Sequence, residues 1–188
     1  MRLLAGRLRG FQSFKARFQV EAQTRPQVAD ADLWLAFALL KRDTTDLVVE
    51  KATELGVSTL LPVITERTNA ARVNLGRLRA IAIEAAEQSE RLTVPAIHPP
   101  APLYDMLAAW PGDRPLHVAI ERSDAQMMRS VSGPAGLLIG PEGGWGPRDH
   151  AVLERLAFIR PVSLGTRILR AETAAIAGLA LLQSPRCG

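Results

Sequence analysis

Several absences narrow this 188-residue sequence before any motif does. It has one cysteine, Cys187, so no disulfide framework forms within a chain, and a reducing cytoplasm is the expected setting. It has no apolar run of about 18 residues or more, so no membrane-spanning helix is expected. The basic start `MRLLAGRLRGFQ` is followed by neither a long apolar core nor a small-residue cleavage site, which argues against a signal peptide. The histidines, His98, His117 and His150, are scattered without ligand spacing, and no metal site is expected. No Ser-His-Asp arrangement can be built, and Cys187 lies too near the terminus to favour as a nucleophile. Both the `GxGxxG` fingerprint and the `GK[ST]` of a P-loop are missing, which disfavours a Rossmann-type nucleotide enzyme.

Lysine is scarce too, confined to Lys15, Lys41 and Lys51, yet the net charge is +4 and the sequence pI about 10.0. Arginine carries the excess, and its planar fork suits phosphates and base edges. Charge of this kind makes nucleic acid a partner to consider without establishing it.

The chain is 47% hydrophobic, enough for one packed core, or one domain plus a fragment of another. Residues 1–30 differ from the rest. In `FKARFQVEAQ`, Phe14, Ala16, Phe18 and Val20 alternate with polar residues as in a strand, and `TRPQVADAD` reads as a linker. One hairpin cannot make a domain, so this region reads as part of something larger. From Leu33 onward strands and helices alternate. `LWLAFAL`, `VSTLLPVI`, `PLHVAIE`, `AGLLIG` and `PVSLG` are short apolar strands. `DTTDLVVEKATEL`, `NLGRLRAIAIEAAEQSER`, `PRDHAVLERLA` and `AETAAIAGLALLQ` carry helical spacing, with Gly56 as a stop signal and Pro147 in a first turn. The alternation predicts an α/β fold with a parallel sheet covered on both faces.

Ligands of open α/β sheets bind beyond the carboxyl ends of the strands. Three loops qualify: the one after `HVAIE`, then `GPEGGWG`, then `LGTRILRAET`. Glycine at 140, 143, 144 and 146 opens the backbone to a ligand, and Pro141 and Pro147 stiffen it. Alone, the stretch reads equally well as a glycine-rich turn. In the third loop, Arg167 and Arg170 flank Ile168-Leu169, an apolar pair better suited to cap a pocket than to face water.

`LLIGPEGGWG` followed by `SLGTRILRAETAA` resembles the signature pair of the SPOUT methyltransferases. Within them the sequence resembles the bacterial 16S ribosomal RNA uridine-N3 methyltransferase (RsmE) family, because `LAFALLKRD`, `VVEKATELGVSTLLPVITERT` and `IAIEAAEQSERLTVP` follow that family's motifs in order. The resemblance runs from Leu33 to Gln183. It implies a SPOUT-type parallel sheet tied in a C-terminal trefoil knot, a topology that general rules of chain connection would have excluded. It implies two domains, a partial PUA-like β-barrel remnant and linker over 1–30 and a SPOUT methyltransferase domain over 31–188. The family's barrel is complete, so the shortened start is a departure that puts action on the ribosome in question.

The resemblance also implies S-adenosyl-L-methionine as cofactor. Glu121, Leu138, Ile139, Gly140 and Gly143 would form one side of its site, and Leu164, Gly165, Ile168 and Leu169 the other. Small residues at Ala174, Ala175, Ala177 and Gly178 would let the last helix pack tightly. The implied reaction is methylation of N3 of a uridine in 16S rRNA, on the small ribosomal subunit, by a homodimer. Arg170 is then the expected cation near the uracil carbonyls, and Glu172 its orienting partner or the proton acceptor. Glu142 is a second carboxylate candidate, although helix capping would also explain it. Arg67, Arg91 and Arg148 are candidate RNA contacts, whereas Arg72 reads as a solvated side chain. The competing reading is a non-catalytic knotted protein that binds RNA or a nucleoside.

Overall fold

The computed structural model describes residues 4–12, 15–24, 26, 30–68, 73–120 and 125–184. Strands β1 (Leu4–Gln12) and β2 (Lys15–Gln23) pair antiparallel in a sheet of their own. Its register shifts between Ala5 and Gly6 and between Leu8 and Phe11. Alternation in the sequence identifies β2 but not β1, where Gly6 and Gly10 interrupt the apolar pattern.

The rest of the chain gives β3 (Leu33–Ala38), α1 (Arg42–Glu54), β4 (Thr59–Ile64), α2 (Leu75–Gln88), β5 (Ala96–Ile97), β6 (Ala101–Pro102) and α3 (Leu103–Ala108). Then follow β7 (Leu116–Ala119), β8 (Ala135–Ile139), α4 (Pro147–Leu153), β9 (Ile159–Val162) and α5 (Ala171–Gln183). The strands form one sheet in the order β5-β4-β3-β8-β7-β9, with β6 also beside β4, and every pairing is parallel. The expected parallel α/β sheet is therefore present. The last strand begins two residues before `PVSLG`, and Ser163 to Gly165 leave it as a loop. The sequence pattern did not reveal β5, β6 or α3, which are too short to express a period.

Successive residues of the central strands feed two cores, which is why those strands read as unbroken apolar runs. Leu35, Phe37, Leu137 and Ile139 join residues of α1, α2 and α5 on one face. Ala36, Val63, Leu138 and Val118 join Leu103, Trp110 and Leu153 from α3, the turn after it and α4 on the other. Burying each large side chain contributes about 1.5–3 kcal/mol before entropy is counted. On the first face Gly178 of α5 lies against Leu137, where a Cβ would come within 2.7 Å of a leucine methyl.

Helix boundaries follow local chemistry. The `DTTD` polar start of α1 works through one residue: buried Thr45 accepts from the Leu40 N–H at 3.3 Å and donates to the Leu40 carbonyl at 3.1 Å. Gly56 ends the helix at φ +80°. Asn74 caps α2 by accepting from Arg77 N at 3.0 Å.

Arg91, expected on the RNA surface, is structural instead. Its side chain is 8% exposed. The guanidinium donates to the carbonyls of Thr53 and Val57, at the end of α1 and the start of the next turn, and pairs with Asp30 at 2.8 Å. Thr93 also donates to Asp30. Burial pushes the Asp30 carboxyl up, but the Thr93 hydroxyl and the Arg91 guanidinium outweigh it and hold the carboxyl below its usual value. A lowered folded value means stability that is present above the ordinary 3.8 and lost as pH falls through the lower folded value. Arg91→Ala should cost about 1–3 kcal/mol, because two inner carbonyls lose their donor. Urea unfolding checks this, and the Asp30 part of the difference should fade only in strong acid. An unchanged midpoint at neutral pH would contradict the structural role.

Candidate ligand site at the strand ends

The carboxyl ends of β7, β8 and β9 open into a cleft of about 1030 Å³. Ala119 and Ile120, at the end of β7, line it. Ile139 to Trp145 after β8 form one wall, and Ser163 to Ala171 after β9 the other. Arg67, Met127, His150 and Ala174 complete the lining.

The first wall is a tight turn held from three sides. Gly144 N donates to the Pro141 carbonyl at 2.9 Å, and Gly144 takes φ +68°. Trp145 then folds back under Gly140, where a Cβ would come within 2.9 Å of the indole. Its Nε1–H reaches the Ala119 carbonyl at 3.3 Å, joining the ends of β7 and β8. The third hold comes from the turn after β4. Asp149, 0% exposed, accepts from Glu66 N and from Gly146 N, each at 3.1 Å. The Glu66 carboxylate accepts from Arg148 N at 3.0 Å in return, and occupies the space a side chain at Gly146 would need. Arg67 Nη1 donates to the Gly143 carbonyl at 2.7 Å.

The second wall is less tied down. Ser163 Oγ accepts from Gly165 N at 3.3 Å, and Gly165 takes φ +126° with open space where a Cβ would stand. Ile168 is 57% exposed, whereas Leu164 and Leu169 pack partly against the core of the α1–α2–α5 face. Arg170 is the N-cap residue of α5, exposed, and lines the cleft. Among the described residues its guanidinium takes part in no hydrogen bond or ion pair.

Of the expected cofactor residues, Ile139, Gly140, Gly143, Leu164, Gly165, Ile168 and Leu169 line the cleft. Leu138 does not: strand alternation turns it into the opposite core, where it is fully buried beside Val118 and Trp110. Glu121 and Arg72 lie outside the described residues. Glu172 is half-buried in the first turn of α5, away from the lining and without a bond to Arg170. Glu142 is exposed on the cleft and caps nothing, since Asp149 and Glu66 already serve the start of α4. Arg67 lines the cleft, and Arg148 is exposed in the first turn of α4 outside it. Sequence reasoning missed Glu66, Trp145 and Asp149. An acidic residue three positions after Gly146 is a capping signal, but its second partner lies 83 positions earlier in the chain. Among the described residues no group of three metal-binding side chains gathers.

Comparison with known proteins agrees with this geometry. The RNA methyltransferase domain family matches residues 28–183. The chain is similar to the ribosomal RNA small subunit methyltransferase E of Rickettsia conorii, 33% identical over 166 residues, covering 86% of this chain and 68% of that one. It is 34% identical over 159 residues to the enzyme of the same name from Synechocystis, covering 80% of this chain but 52% of the relative's length. Among solved structures, the methyltransferase E from Neisseria gonorrhoeae bound to S-adenosyl methionine superposes with TM-score 0.84 at 28% identity. That match covers 94% of this chain and 76% of the other.

The clasp around Asp149 can be tested directly. Asp149→Ala leaves two backbone N–H groups without their acceptor and should cost about 1–3 kcal/mol for each that stays dry. Denaturant unfolding measures it, and a midpoint equal to that of the parent protein would show that the clasp holds nothing.

Proposed function

The chain belongs to the RNA methyltransferase family that matches it, and on that premise we propose that it methylates N3 of a uridine in 16S rRNA, using S-adenosyl-L-methionine. One observation carries the reading: a glycine-opened wall and an apolar, arginine-bearing wall face each other across one cleft at the strand ends. The cleft volume is at the top of the range of about 300–1,000 Å³ found for small-molecule sites. Gly144 and Gly165 have open space where a side chain would stand and leave main-chain groups accessible, and Leu164, Ile168 and Leu169 supply apolar cover, so the residues fit an adenosyl group. When bound, S-adenosylmethionine supplies an electrophilic methyl on a sulfonium sulfur.

The chain's own residues then have three tasks. Uridine N3 is a poor nucleophile until it loses its proton, and the negative charge that results spreads onto the uracil carbonyls. Arg170, unpaired at the N-cap of α5, meets that charge. Glu142 on the facing wall is the carboxylate assigned to take the proton. Glu172, outside the cleft, complements the dipole of α5. Transfer of that methyl to N3 would require an in-line approach free of water, and the two walls of the cleft would supply that exclusion. Arg67 and Arg148 are assigned to RNA phosphates.

Three larger features belong to the same reading. The first is threading of the C-terminal chain through a knot. Its support is the segment 125–131, which bonds both to Ser163 at the end of β9 and, through Val131 N, to the Leu182 carbonyl of α5 at 3.1 Å. β9 lies at one edge of the sheet, and α5, which follows it in the chain, packs over β8. The second is a division into residues 1–30, read as PUA-like barrel strands and linker, and a methyltransferase domain over 31–188. Its support is that β1 and β2 share no sheet with the other strands. The third is a cytoplasmic homodimer with α5 at the contact; the alanine-rich face of α2 is not part of it, because Ala82, Ala85 and Ala86 are buried in the protomer's own core. No helix among the described residues is long and apolar enough to cross a membrane.

Calorimetry with S-adenosylmethionine and methylation of small ribosomal subunits test the activity, and cofactor binding without methylation would favour a binding-only protein. Arg170→Ala should lower turnover by about 10²-fold or more while cofactor affinity stays nearly intact. Near-normal turnover ends that assignment. Arg148→Ala should weaken RNA binding and reduce its salt slope by about one. Filter binding across a salt series reads it, and an unchanged slope removes Arg148 from the contact set.

A further inference from the structure

We propose that Arg67 is a coupling residue, linking cofactor binding to RNA binding through the Gly143 carbonyl. This rests on the methyltransferase reading above and adds a relation between its two ligands.

The turn Thr65–Thr68 leaves β4 and is bonded to the Gly143–Asp149 stretch, the first wall and the start of α4, at three places. Two are backbone-anchored and fixed: Glu66 N on Asp149, and the Glu66 carboxylate on Arg148 N. The third is Arg67. Its stem lies on Gly143, with Cβ and Cδ each 3.7 Å from where a Gly143 Cβ would be, and its Nη1 donates to the Gly143 carbonyl at 2.7 Å. Gly143 sits in the turn closed by Gly144 N and the Pro141 carbonyl, which carries Glu142 toward the cleft. Whatever holds the Gly143 carbonyl therefore sets the shape of that wall.

Arg67 is an exposed side chain, unlike Arg91. A guanidinium has five N–H donors in a rigid fork, and here one bond goes to Gly143. The remaining donors are open to a phosphate. A phosphate on them pins the fork that grips Gly143, so the wall loses freedom once for both ligands. The sign of the linkage is positive, and by reciprocity each ligand tightens the other by the same factor. A lysine ammonium cannot reproduce this, being a point charge without a planar fork.

The test measures cofactor affinity by equilibrium dialysis, with S-adenosylhomocysteine as the probe because it has no methyl to transfer, alone and with small ribosomal subunits that lack the modification. The parent protein should bind the cofactor about fivefold more tightly with subunits present, at the low end of measured couplings. Arg67→Lys and Arg67→Ala should bring that ratio close to one, with unfolding midpoints near the parent's. Arg148→Ala should weaken subunit binding and leave the ratio unchanged, because its side chain does not hold the wall. A parent ratio of one, or an undiminished ratio in both Arg67 variants, overturns the coupling. Failure of the parent protein to bind the cofactor at all would instead overturn the methyltransferase reading.

Discussion

A carboxylate with no exposed surface is costly unless it is hydrogen-bonded, and Asp149 Oδ2 accepts from two backbone N–H groups that lie far apart in the chain. One belongs to Gly146, at the start of α4, and the other to Glu66, after β4. Glu66 answers by capping Arg148 N. Because the two carboxylates serve each other's segments, neither segment can move alone. The wall formed by Ile139 to Trp145 is thereby built on a fixed base, and Trp145 beneath Gly140 ties that base to the end of β7. The opposite wall has no comparable clasp and presents its exposed isoleucine and unpaired arginine to the cleft.

The arginines divide by environment in a way that composition could not show. Arg91 is buried, holds two carbonyls and pairs with Asp30. Arg114 is also buried, paired with Asp32 and lying 4.0 Å over the ring of Trp34. Both are parts of the fold. Arg67, Arg148 and Arg170 are exposed, and two of them line the cleft. Two of the arginines that composition counts are thus paired with aspartates within the fold and are not offered to a polyanion.

Much of the fold was legible because its signals are local. Strand runs at β3, β4 and β8 and helical spacing in α1, α2 and α5 come from residues within a few positions of one another. β1 escaped because glycines broke its alternation, and β5, β6 and α3 because they are too short to show any. In the site, the glycines and the apolar pair Ile168-Leu169 were legible as types suited to a ligand loop. Leu138 was misassigned because adjacency in sequence hid the alternation that points neighbouring strand residues to opposite faces.

By itself the sequence determined the order of the longer strands and helices from β3 onward, the parallel character of the sheet, and the three loops at which a ligand would bind. These follow from periodicity and from glycine and proline placement, which act over a few residues. Only the tertiary structure decided which arginine is structural and which is free, that Glu142 caps nothing, and that Glu66 and Asp149 hold one wall together. Those facts rest on hydrogen bonds between residues 34 to 83 positions apart in the chain, and no local pattern encodes which donor will meet which acceptor.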